Sequence, residues 1–88
     1  MKKYIIGRKS VKGVNVEFKI ENESQLKKLD VIVDDIMYKQ NNVEYFTKVR
    51  GKEAKVEVKN TSKTDNKYYL YSSPDSTSSN NIDELEQF

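Results

Sequence analysis

Three groups of side chains have the types and spacing to do chemistry. The first is Asp30, Asp34 and Asp35. On a helix, Asp30 and Asp34 stand four apart and could share a hard cation such as Mg²⁺, which accepts one or two carboxylates plus waters. No phosphate-binding glycine loop and no third ligand accompany them, so the solvated face of an amphipathic helix is the stronger reading. Paired carboxylates for glycoside cleavage would need a pocket, for which a core this small leaves little room. The second group is Lys48, Arg50, Lys52, Lys55 and Lys59, interleaved with Phe46 and Glu57. Cations and aromatics on a sheet face bind single-stranded nucleic acid by charge and stacking. Glu44 and Glu57 interrupt the patch, however, and lysines on a wet sheet face also serve to discourage edge-to-edge pairing. The third group is tyrosine, six in 88 residues. Tyr68, Tyr69 and Tyr71 within one strand put aromatics on both faces of a sheet. Partner surfaces are enriched in tyrosine, although ordinary strand propensity accounts for the run equally well.

The residue types that are missing exclude more. The sequence contains no cysteine and no histidine, which removes disulfides, thiolate zinc sites, cysteine nucleophiles and the commonest general base. No motif holds a nucleophile beside a base, so no enzymatic activity, cofactor or metal is expected. Apolar runs do not exceed four residues, too short to span a membrane. The basic opening lacks the apolar stretch of a signal peptide, and a cytoplasmic location is expected. Charge is uneven: residues 1–64 carry 15 Lys/Arg against 9 Asp/Glu, a net of +6, and residues 65–88 carry one lysine against five acids, a net of −4. Only Arg8 and Arg50 among the 16 cations are arginine, which weakens a sequence-specific nucleic-acid reading, since bidentate recognition favours arginine.

These residues need elements to position them. A short strand opens at Tyr4-Ile5-Ile6, and Lys12-Gly13 is a turn signal. Val14, Val16, Phe18 and Ile20 alternate with Asn15, Glu17 and Lys19, a strand with one buried face. Asn22 and Gln25 read as a capping box. The stripe Leu26, Leu29, Ile32, Val33, Ile36 and Met37 then predicts an amphipathic helix of about four turns, ended by Asn41-Asn42 after Lys39. Val43 to Val49, Ala54 to Val58 and Tyr68 to Tyr71 read as three further strands, with a turn at Arg50-Gly51-Lys52. The expected fold is α+β: a small antiparallel sheet in the order ββαβββ with one helix across one face. Residues 1–71 form the domain. Residues 72–80, a Ser/Thr-rich stretch, form a polar linker. Residues 81–88 form a C-terminal helical turn, capped by Asn81, whose apolar stripe Ile82, Leu85 and Phe88 is expected to dock on the body.

The C-terminal stretch Tyr68-Tyr69-Leu70-Tyr71-Ser72-Ser73-Pro74-Asp75, followed by Asn80-Asn81-Ile82-Asp83-Glu84-Leu85 and Phe88, resembles a family of small bacterial proteins. Its members end in a Tyr-Leu strand, an Asp-containing polar loop and Asn-Asn-Leu-Asp-x-Leu-Pro before a final aromatic. Ile5, Ile6, Arg8, the helix from Leu29 to Met37 and Tyr45-Phe46 are similar to the rest of that family. Ile82 replaces the usual leucine, and Glu86 replaces the proline. The resemblance implies a small cytoplasmic domain of unknown function, sometimes carried on mobile elements or at phage-related loci, and brings no catalytic residues.

The residues therefore lead to a non-enzymatic protein-binding or regulatory domain. Its contact surface would be drawn from Tyr68, Tyr69, Tyr71, Ile82, Leu85 and Phe88, and its partner would be another protein. The alternative is a nucleic-acid-binding module using the Lys48–Lys59 hairpin.

Overall fold

The computed structural model describes residues 1–38, 42–60, 67–74 and 80–88. The residues read as the helix stop, Lys39 and Asn41, and most of the Ser/Thr stretch lie outside them. Strands β1 (Lys2–Val11) and β2 (Val14–Ile20) form the first hairpin. Lys12 and Gly13 both take positive φ, 51° and 80°, between the paired residues Val11 and Val14. That is a two-residue turn whose twist matches the strands it joins. Arg50 and Gly51, at φ 53° and 78°, join β4 (Glu44–Val49) to β5 (Lys52–Asn60) in the same way.

The helix differs from expectation at its start. Asn22 does not cap it; at φ 69° it belongs to a turn closed by the Glu23 N–H donating to the Ile20 carbonyl at 3.1 Å. The next residues serve the sheet: β3 (Lys27–Lys28) pairs with Glu17 and Phe18 along β2. Helix α1 runs only from Leu29 to Tyr38. Leu26, read as helical, is 42% exposed. The open edge of β2 competes with the helix for these backbone groups and takes them.

Beyond the helix come β4, β5, β6 (Tyr68–Ser72), a 3₁₀ turn at Asn81–Glu84, and β7 (Glu86–Gln87). Among the described residues the fold is α+β, a seven-stranded sheet with one helix, in the order β3-β2-β1-β4-β5-β6, with β7 pairing β1. The sheet is mixed, correcting the antiparallel expectation, because β1 pairs parallel with both β4 and β7. Its first residues, Lys2 to Tyr4, lie beside β4; Gly7 and Arg8 lie beside β7 on the edge that β4 leaves. The short strands β3 and β7 are the additions to ββαβββ.

The core lies between the helix and one face of the sheet, built from Ile5, Phe18, Ile20, Ile32, Val33, Tyr45, Val56 and Leu70, joined by Ile82 and Leu85. Burying apolar area of this kind is the main favourable contribution to folding. Phe18 and Ile20 are buried as their alternation predicts, but Val14 is 56% exposed because the hairpin tip runs past the core.

Strand β6 extends through Ser72, placed by the sequence in the linker, and Ser72 is fully buried. Its hydroxyl lies 2.7 Å from Thr47 Oγ1 and 3.0 Å from the Ala54 carbonyl, and Asn81 Nδ2 donates to Thr47 Oγ1 at 3.3 Å. Asn80, not Asn81, caps the 3₁₀ turn: its Oδ1 accepts from the Ile82 N–H at 3.1 Å. Asn81 is instead buried beneath the turn. Two adjacent asparagines look alike in sequence, and the register of the tail on the sheet decides which one caps.

Candidate functional site

The two faces of the sheet have different chemistry. On the face without the helix, β4 presents Glu44, Phe46 and Lys48, and β5 presents Glu53, Lys55, Glu57 and Lys59, as the pairing of Phe46 with Lys55 and Lys48 with Glu53 requires. Lys2 Nζ reaches Glu53 at 2.8 Å and sits 4.5 Å from the Phe46 ring centre. The Tyr4 hydroxyl also donates to Glu53. These bonds hold the Glu53 carboxyl below the usual carboxylate range, Lys2 first, and raise the Tyr4 phenol.

The five cations expected to act together do not share this face. Lys52 pairs with Val49 and falls on the opposite side, and Arg50 sits in the turn, 3.1 Å from Glu84. Lys48, Lys55 and Lys59 remain, separated by glutamates. Lys55 lies 3.9 Å from Glu44, and Lys59 sits 3.9 Å above the Tyr71 ring. Phe46, the expected stacking platform, is buried to 9% exposure beneath Lys2. Strict alternation of lysine and glutamate along β5 interleaves charge instead of concentrating it.

The helix-covered face hides a polar cluster. Asp35, read as part of a solvated helix face, is only 5% exposed and accepts a 2.6 Å hydrogen bond from the buried Tyr45 hydroxyl. Lys27 Nζ donates to the same phenol oxygen at 3.1 Å and stands 3.8 Å from Glu23, which also pairs with Lys3. Burial, with Asp35 beside it, raises the Tyr45 phenol well above its ordinary value. Burial also lowers the Lys27 ammonium. This cluster fastens β3, α1 and β4 together. Among the described residues no buried side-chain polar atom lacks a partner, and no three His, Cys, Asp or Glu side chains gather as a metal site.

The tail contributes to the core more than to a contact surface. Ile82 and Leu85, expected as partner-binding residues, are 0% and 9% exposed and pack with Ile5 and Phe18, so neither is available to another chain. Phe88 stays 48% exposed, its ring against Gly7, where an added Cβ would come within 3.2 Å. Arg8 holds the tail through carbonyls: Nη2 donates to Asp83 O at 2.9 Å and Nε to Leu85 O at 3.3 Å, while the Phe88 N–H donates to Arg8 O at 3.0 Å. Its Nη1 reaches Asn15 at 3.1 Å. Nothing in the sequence alone marks Arg8 for this role.

A cleft of about 1130 Å³, open to solvent, lies between α1, the tip of the first hairpin and β6. One wall is the helix, which contributes Leu29, Asp30, Val33, Asp34, Met37 and Tyr38. Facing it are the consecutive residues Lys67 to Tyr71; Val14 and Asn15 of the hairpin and Asp83 of the tail close the ends. Hairpin tip and last strand stand far apart in the sheet order yet line one cleft, so the sheet curls around the helix. Tyr68, Tyr69 and Tyr71 are all brought here. Tyr68 packs partly on the core, Tyr69 is 38% exposed, and Tyr71 lies under Lys59. Sequence reasoning missed Met37 and Tyr38 as site residues. Both stand in the last described turn of α1, 44% and 64% exposed.

No protein-family model, curated protein or solved structure matches this chain. Among the described residues no helix is long and apolar enough to cross a membrane.

Proposed function

We propose that this protein is a non-enzymatic, cytoplasmic binding domain whose partner is another protein, and that the cleft between α1 and β6 is its contact surface. The resemblance of its C-terminal segment to small bacterial domains is in keeping with that role. The observation that carries the reading is the exposure of Met37 and Tyr38 beside the tyrosine strand, in a cleft lined in part by apolar side chains. Tyrosine and methionine are the residues enriched at partner surfaces. A cleft of about 1130 Å³, wide open, suits a segment of polypeptide better than an enclosed small molecule. The interleaved charges of the opposite face favour solubility over phosphate binding.

A photo-cross-linking residue placed at Tyr38 and, separately, at Lys55 in the native host tests this. Position 38 is expected to give a discrete protein adduct that position 55 does not. Adducts to nucleic acid from position 55, with oligonucleotide retention that falls steeply as salt rises, would transfer the function to the Lys48–Lys59 hairpin.

A further inference from the structure

We infer that the cleft takes its partner as an extended, basic segment added along the outer edge of β6, with the partner's cations directed at the carboxylates of α1. The inference rests on the protein-binding reading and names the mode and the chemistry of the partner.

Strand β6 ends the sheet order, and among the described residues no strand pairs with its second edge. That edge faces the cleft, since five residues in succession from Lys67 to Tyr71 line it. One part of the edge is already occupied. The Asn80 side-chain amide donates to the Leu70 carbonyl at 3.0 Å and accepts from the Ser72 N–H at 3.0 Å. An amide bonded in this way to both a carbonyl and an N–H reproduces what a neighbouring strand would offer. It shows that Leu70 and Ser72 direct their backbone groups away from β5. By the two-residue alternation of a strand, Tyr68 directs its N–H and carbonyl the same way. Asn80 therefore ends the available edge on one side and leaves Tyr68 to Leu70 as the stretch that an added strand can meet. Backbone pairing of this kind supplies affinity, and side chains on alternate positions supply choice.

Charge supplies the choice. The protein is net positive, yet the cleft lining carries Asp30, Asp34 and Asp83 against Lys67 among its charged residues. Asp30 and Asp34 are both exposed, one helical turn apart, on the wall that faces β6. An acidic inlay in a basic molecule attracts lysine or arginine side chains and repels acidic segments, a discrimination that acts on approach as well as in the complex. Lys67, at the start of the edge, guards it against indiscriminate strand pairing.

The test uses the full chain, isotope-labelled, with two synthetic peptides: an alternating lysine–threonine octamer and its glutamate–threonine counterpart. The lysine peptide is expected to shift the backbone amides of Tyr68 and Leu70 and to slow their hydrogen exchange. The glutamate peptide should leave them unmoved. The double variant Asp30→Lys/Asp34→Lys, at solvent-exposed positions, should bind the lysine peptide at least tenfold more weakly while the amide spectrum of the sheet core stays that of the parent. Equal shifts with both peptides, shifts confined to Lys55 and Lys59, or shifts that grow with protein concentration in the absence of peptide overturn the inference. The last of these would assign the edge to a second copy of the chain. If the cross-link at position 38 captures a partner whose attached segment is acidic or helical, this mode fails and protein binding stands. If no protein adduct forms there, the binding reading itself fails.

Discussion

The two faces of the sheet carry the same three-part cluster in different surroundings. On the covered face, Tyr45 donates to Asp35 while Lys27 bonds to the phenol oxygen. On the open face, Tyr4 donates to Glu53 while Lys2 pairs with that carboxylate. Phenol, carboxylate and ammonium are common to both. Tyr45 is 1% exposed and its carboxylate partner 5%, whereas Lys2 and Glu53 are largely in water. A hydrogen bond broken on the open face is replaced by water. One broken beneath the helix is not readily replaced by water, so the penalty of losing a hydrogen bond falls mainly on the covered face. Chemistry of the side chain names the interaction; burial decides whether it holds the fold together.

Several changes probe that contrast. The largest effect belongs to the apolar wall of the covered face: Phe18→Ala should cost about 3–5 kcal/mol in chemical denaturation, and a loss under 1 kcal/mol would remove Phe18 from the core. Ile82→Ala comes next, at about 2–5 kcal/mol. An effect that large from a residue six positions before Phe88 would show that the tail is structural, and a negligible one would make it an appendage. Tyr45→Phe should cost about 1–3 kcal/mol by removing a buried hydrogen bond to Asp35, and thermal melts measure it. Tyr4→Phe should leave the melting temperature within error of the parent. If the two substitutions have equal effects, the contrast between the faces is wrong.

The pH dependence sharpens the same comparison. The Tyr45 phenol is raised above its ordinary value by burial and by Asp35, so the folded state binds this proton more tightly than the unfolded chain. Its contribution is whole below the ordinary phenol value, about pH 10, and is lost as pH rises beyond it. Lys27, lowered by burial, acts the other way, its unfavourable burial as a cation being relieved as pH rises. In urea denaturation repeated from pH 9 to 11.5, stability of the parent should fall with pH, and Tyr45→Phe should show a shallower fall. Tyr4→Phe is expected to change the slope least. A Tyr45→Phe slope equal to the parent's would mean that the phenol contributes nothing to the pH dependence.

Much of the framework was legible from local pattern. Both hairpin turns were visible because only a few dipeptides, Lys12-Gly13 and Arg50-Gly51 here, meet a turn that requires positive φ twice. The alternation of β2, β4 and β5 was visible because a strand has a period of two residues. The start of the helix was not, because Asn22 to Lys28 suits a helix locally and is drawn to the edge of β2 by groups elsewhere in the chain. Asp35 carried no sign of burial, since an aspartate beside Asp34 looks solvated until Tyr45 is known to face it. The cleft was illegible for the same reason: Tyr38, Asp34, Tyr68 and Val14 are separated along the chain and meet only when the sheet curls.

By itself the sequence determined the class of object: a single helix with a sheet of short strands, no thiol or imidazole chemistry, and a basic body ending in an acidic tail. Those follow from composition and short-range periodicity, which the backbone imposes within a few residues. Only the tertiary structure decided that β1 takes two parallel neighbours, that Ile82 and Leu85 belong to the core, and that one aspartate is buried while its neighbours look into a cleft. Each depends on which distant backbone or side-chain group supplies the missing partner, and the physical requirement that buried polar groups be satisfied acts across the fold without regard to distance along the chain.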